Sequence, residues 1–189
     1  MDSVIYPLEA HRTALPAFAW ICELARKINS AVVVVGSEND FASSPLFHSR
    51  VDTLASEYRQ TYHPDEGATA LACVPVLSSN ALSTALQRQV SRHPMGLLVF
   101  PAHFCQNDIF PYLDDRQHPY IRLPSDVLFS PSPVQPNGEV QHHAFYAIFQ
   151  RAQKSHLTDH FFHQLAYDTH LFGYFTRYFS QEPEDFWSM

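Results

Sequence analysis

Glycine is scarce in this chain: five in 189 residues, with none between Gly96 and Gly138. A phosphate loop, a dinucleotide fingerprint and a nucleophile elbow each need glycines at fixed spacing. Only glycine takes positive φ without strain and lets backbone N–H groups close on a phosphate. None of those motifs occurs. Cysteine is also rare. Cys22, Cys73 and Cys105 are odd in number, widely spaced and set in apolar surroundings, which fits neither a disulfide framework nor a CxxC zinc or redox site. A reducing cytoplasm is the expected compartment.

Positive charge is thin as well. Lys and Arg number 12 against 19 Asp and Glu, the net charge is −7, and no basic stripe is present. Nucleic-acid binding needs clustered cations that displace counterions from phosphates, so nucleic acid is set aside as a partner. No basic segment followed by a long apolar one opens the chain, and no uninterrupted apolar run approaches the roughly 18 residues of a membrane span. A soluble, unexported protein without a membrane partner is expected. The sequence also lacks internal repeats and low-complexity tracts, which sets solenoids and arrays aside.

What is abundant is apolar runs of strand length separated by helical patterns. Val4 to Leu8 and Ala31 to Val35 flank a stretch in which Leu15, Phe18, Ala19, Cys22, Ala25 and Arg26 recur at spacings of three and four, ending at Asn29. That order reads as a β-α-β unit, because parallel strands need a long crossover and bury both faces. Glu38 to Ser49 reads as a polar, turn-rich connection. Val51, Leu54, Ala55 and Tyr58 then predict a second helix stopping before His63-Pro64. Thr69 to Leu77 predicts a third strand, Ser78-Ser79-Asn80 an N-cap cluster for a helix to Arg92, and Leu97 to Phe100 a fourth strand closed by Pro101.

From His103 to Gly138 prolines crowd the sequence. Only a short helix near Asp108 to Asp115 and a strand at Tyr120 to Leu123 or Val127 to Phe129 are expected there. Beyond Gly138, Phe145, Ile148, Phe149, Leu157, Phe161, Leu165, Phe172 and Phe175 recur at helical spacing and predict two or three helices. The expected fold is α/β, a doubly wound parallel sheet over residues 1–136 with a helical C-terminal extension over 137–189.

Over residues 1 to 135 this order resembles the universal stress protein family, an adenine nucleotide alpha hydrolase-like fold. Val4-Ile5-Tyr6-Pro7-Leu8-Glu9 resembles its opening strand and Ala14 to Ile28 the helix that follows. Leu71 to Val76 resembles the third strand, Ala81 to Gln89 the next helix, and Gly96 to Phe100 the fourth strand. ATP-binding members carry an Asp just after the first strand and a glycine-rich phosphate loop after the fourth. Here Glu9 stands at the first place and Pro101-Ala102-His103-Phe104-Cys105-Gln106 at the second. The resemblance implies a stress-related regulatory homodimer, and the missing glycines imply that ATP does not bind by that route.

Two constellations carry candidate chemistry. In a doubly wound sheet, ligands bind where strand order reverses, beyond the carboxyl ends of the first and fourth strands. That crevice is expected to gather Glu9, His11, His103, Phe104 and Cys105, with Ser37 nearby to read a sugar or base; the plain alternative is solvated loop ends. The second is a stripe of His156, His160, His163 and His170 with Tyr167 on the same helical face. Histidines at i and i+4 suit one metal ion, His156, His160 and His163 being the candidate ligands, yet no HExxH base accompanies them. Packing at a helix or subunit boundary is the alternative. Acidic pairs such as Asp114-Asp115 read as exposed helix ends.

The expectation is therefore a non-catalytic regulatory protein, a homodimer binding a small molecule, a nucleotide or a protein partner, with no cofactor identified by the sequence. The alternative is a metal-binding protein or metal-dependent enzyme built on the clustered histidines.

Overall fold

The computed structural model of the chain describes residues 3–10, 15–27, 29–64, 71–101, 104, 106–123 and 153–155. They form β1 (Ser3–Pro7), α1 (Leu15–Lys27), β2 (Ala31–Ser37), α2 (Ser44–Tyr62), β3 (Cys73–Ser78), α3 (Leu82–Arg92), β4 (Leu97–Phe100), α4 (Ile109–Asp115), β5 (Tyr120–Arg122) and β6 (Gln153–Ser155). The strands make one sheet in the order β3-β2-β1-β4-β5-β6. β1 to β5 are parallel and β6 runs antiparallel to β5. The fold is α/β, as the alternation of apolar runs and helical patterns predicts.

Side chains on successive strand residues point to opposite faces, and the apolar runs feed two separate cores. Val4, Tyr6, Val32, Val34, Leu97, Val99 and Ile121 pack with α1 and α2. Ile5, Val33, Val35, Leu98, Phe100 and Tyr120 pack with α3 and α4. Every residue of α1 from Ala17 to Ala25 is buried, so this helix is enclosed over its whole circumference rather than along one stripe. α2 is amphipathic, burying Phe47, Val51, Leu54, Tyr58 and Tyr62.

Glycine's scarcity shows at the helix ends. Asn29 takes φ of 50° after α1, with its N–H on the Arg26 carbonyl (3.1 Å) and the Ser30 N–H on the Ala25 carbonyl (2.9 Å). Gln117, at φ 51°, does the same after α4, where its N–H bonds Asp114 and the His118 N–H bonds Leu113, both at 3.0 Å. These are Schellman closures in which Asn and Gln hold the left-handed position usually given to glycine. Gly36, the one strand glycine among the described residues, is required for a different reason: a Cβ there would lie 2.4 Å from the Phe47 ring, which leans directly on the β2 backbone.

The structure departs from the expectations at three places. α2 begins at Ser44 inside the stretch read as a polar connection, because Pro45 sits in the first turn, where its missing N–H costs nothing. α3 begins after Ala81 without a side-chain cap of its own; Ser78 Oγ instead accepts from the Asn80 backbone N–H at 3.2 Å. Gln153–Ser155 lies within the region expected to be helical, yet pairs with β5 as a strand. Its three polar residues offer no apolar helical stripe, and an edge strand tolerates such residues. The opposite border is β3, where Pro75 interrupts the supply of N–H donors and Val74 is 45% exposed.

Candidate functional site

The chain runs outward from β1 through β2 to β3, then returns to lay β4 on the other side of β1. The carboxyl ends of β1 and β4 therefore diverge into different loops, the place where open parallel sheets form a ligand crevice. Glu9 follows β1 there and is partly buried. Ser37 ends β2 with its side chain engaged: Oγ donates to the Asn80 carbonyl at 2.9 Å and accepts from the Asn39 N–H at 3.2 Å. A further bond, from the Glu38 N–H to the Ser78 carbonyl at 2.9 Å, straps the two loops together. Ser37 thus acts as a brace between the loops after β2 and β3. Beyond it, Glu38 and Asp40 stand exposed at the same end of the sheet.

Phe104 is buried, its ring 4.8 Å from Phe100 and 6.2 Å from Phe110. It belongs to the aromatic core under α3 and α4, and sequence position alone did not reveal that. Two residues later Gln106 Oε1 accepts from the Ser83 N–H at 2.8 Å, so the loop after β4 caps α3. At the end of β5 the Arg122 guanidinium lies 4.7 Å from the Phe110 ring centre. His11, His103, Cys105, and the proposed metal ligands His156, His160 and His163 lie outside the described residues, as do Tyr167 and His170. Among the described residues no group of three or more His, Cys, Asp or Glu is placed to hold a metal ion.

A second polar cluster, at the amino ends of the strands, was not anticipated. Glu23 is buried inside α1. Its Oε1 accepts from the Tyr58 hydroxyl and lies 2.6 Å from His63 Nε2, both side chains also buried, with Arg26 Nε at 3.8 Å. A buried carboxylate is tolerated only when such partners replace its water. Burial, with Glu23 beside it, drives the Tyr58 hydroxyl far above its ordinary pKa and keeps it a donor. A sequence signal did exist: α1 is apolar on every side, so a single acid within it has no route to solvent.

Cys22, next to Glu23, belongs to the same core against which Cys73, the first residue of β3, packs. Cys22 is completely buried and Cys73 partly exposed, and both are free thiols. Burial, reinforced by the neighbouring Cys73, raises the Cys22 pKa well above the usual range. Cys22, with Arg59 on α2 acting in the same sense and burial and Asp52 opposing, lowers that of Cys73.

A shallow groove of about 460 Å³ also lies between α3 and α4, lined by Thr84, Gln87, Arg88, Ser91, Arg92 and Tyr112. Among the described residues no helix is long and apolar enough to cross a membrane. Compared with protein-family models, curated proteins and solved structures, the chain finds no match.

Proposed function

We propose that this chain is a non-catalytic, regulatory protein of the doubly wound, universal-stress-like kind, which binds a small ligand at the carboxyl ends of β1 and β4. The observation that carries this reading is the reversal of strand order between those neighbours in a parallel sheet. The chemistry of that end narrows the ligand. Glu9, Glu38 and Asp40 place carboxylates there, Gln106 already occupies the Ser83 N–H at the start of α3, and no glycine follows β4 until Gly138. A polyphosphate meets repulsion there, with no glycine after β4 to let backbone N–H groups close on it. A nucleoside, presenting hydroxyl and amine donors to Glu9, fits the same end better.

Thermal unfolding with adenosine, AMP and ATP tests this. Ligand held at a hundredfold excess over its dissociation constant stabilises a native state by about 2.7 kcal/mol. The expected order is a clear upward shift with adenosine, no additional gain with ATP, and loss of the shift in Glu9→Gln. ATP stabilising far more than adenosine, or a shift indifferent to Glu9→Gln, overturns the reading.

A further inference from the structure

We infer that the groove between α3 and α4 is a docking surface for an acidic, extended peptide segment of a partner protein, with Arg88 and Arg92 as its reading residues. The sequence of α3 prepares it. Leu82, Ser83, Ala85, Leu86, Gln89 and Val90 are buried, which leaves Thr84, Gln87, Arg88, Ser91 and Arg92 on the outer face. No acidic residue occurs anywhere in α3, so that face carries only cations and neutral hydrogen-bonding groups. These five side chains and Tyr112 of α4 line the groove.

From the α4 side comes a third cation. Arg116 lies one turn beyond Tyr112 and sets its guanidinium over that ring, 4.0 Å from the centre. Three of the 12 Lys and Arg in a chain of net charge −7 thus gather around one groove. The acids of α4 stand outside its lining. Asp114 accepts from the Tyr120 hydroxyl at 3.1 Å, while Asp108 and Asp115 are exposed. Among the described residues the ion pairs converge on Glu23, and none engages Arg88 or Arg92.

Shape and charge together select the occupant. From Thr84 to Arg92 the outer face runs about 12 Å along the helix axis, the reach of about four residues of extended chain. A shallow groove suits a strip laid along it better than a small molecule, which needs most of its surface enclosed. The cations are also spread out: Arg88 and Arg92 stand one turn apart on α3, and Arg116 belongs to the other helix. A compact phosphate wants converging donors, yet the groove extends toward the carbonyl end of α3, and Gln106 takes the Ser83 N–H at the opposite end. Carboxylates spaced along a peptide can each meet one guanidinium fork, leaving Thr84, Gln87 and Ser91 for the peptide backbone.

The test titrates the full chain into a short labelled peptide of alternating Glu and Ala and follows fluorescence anisotropy. The Glu peptide is expected to bind at least about tenfold more tightly than its Gln-for-Glu counterpart, and to weaken as salt rises. Arg88→Ala combined with Arg92→Ala is expected to lower the affinity at least about tenfold, whereas Arg59→Ala, an exposed arginine on α2, leaves it unchanged. A benzophenone-bearing Glu peptide is expected to cross-link to α3 or α4 of the natural chain, a readout that needs no substitution. Equal binding of the two peptides, or an affinity indifferent to loss of both arginines, leaves a solvated helix face and overturns the inference. Cross-links confined to other elements overturn it too, as does displacement of the peptide by inorganic phosphate or a single-stranded oligonucleotide at equal charge concentration.

Discussion

Beneath α1 and α2 the sheet encloses a carboxyl, an imidazole and a phenol hydroxyl that satisfy one another, all of them close to the amino ends of the strands. Beneath α3 and α4 it encloses a stack of aromatic rings, Phe100, Phe104, Phe110 and Tyr120, with centroids 4.8 to 6.2 Å apart. Just after α4 the ring of His118 is buried as well, and its Nε2 has no partner among the described residues. Polar groups buried as a mutually bonded set add specificity at little net cost, whereas one buried with half its capacity unmet makes stability depend on its remaining neutral.

Breaking the bonded set has the largest expected effect. Glu23→Ala leaves His63 and Tyr58 facing an empty site, and removing one member of a buried charged network typically costs about 3–5 kcal/mol. Urea unfolding measures it, and a loss below about 1 kcal/mol shows that the network is not held as described. On the other face the sensitive quantity is pH. Burial lowers the His118 pKa to about 4 from an ordinary value of 6.5. The neutral ring's contribution is therefore complete above pH 6.5, where the unfolded chain is also neutral. It is lost progressively as pH falls toward 4, on the order of 3 kcal/mol in all. His118→Gln is expected to flatten that part of the stability profile relative to the natural chain; parallel profiles for the two proteins contradict it.

The smallest effect sharpens how tightly the first face is packed. Gly36→Ala forces the Phe47 ring off β2, and the ring is confined by Phe41, 5.0 Å away, and His48, 5.7 Å away. Overpacking of this kind costs about 1–3 kcal/mol. Adding Phe47→Leu to Gly36→Ala is expected to recover part of that loss, and strictly additive penalties from the two changes argue against the contact.

The sheet was legible in the sequence because strands buried on both faces must be continuously apolar, as Val32 to Val35 and Leu97 to Phe100 are. Asn29 announced the end of α1 because few residues accept its backbone angle. The start of α2 was hidden because Ser43-Ser44-Pro45 serves a turn and a first helical turn equally well. At the candidate sites, periodicity says which face a residue occupies but not what meets it there. It placed Cys22 on an apolar face without revealing Cys73, and nothing local tells Glu23 that Tyr58 and His63 lie 35 and 40 residues ahead. Ser37 closes β2 and Phe104 lies just beyond β4. The use each side chain is put to, a brace for one and an aromatic stack for the other, is decided by loops distant in sequence.

Pro75 on the outermost parallel strand has a consequence for encounters between molecules. A foreign strand seeking to dock along β3 finds the regular alternation of donors and acceptors broken at its midpoint, so ribbon-like stacking of one copy on another stalls at that border. The chain thereby keeps an apolar strand such as Cys73–Ser78 at its margin without inviting fibrous growth from it.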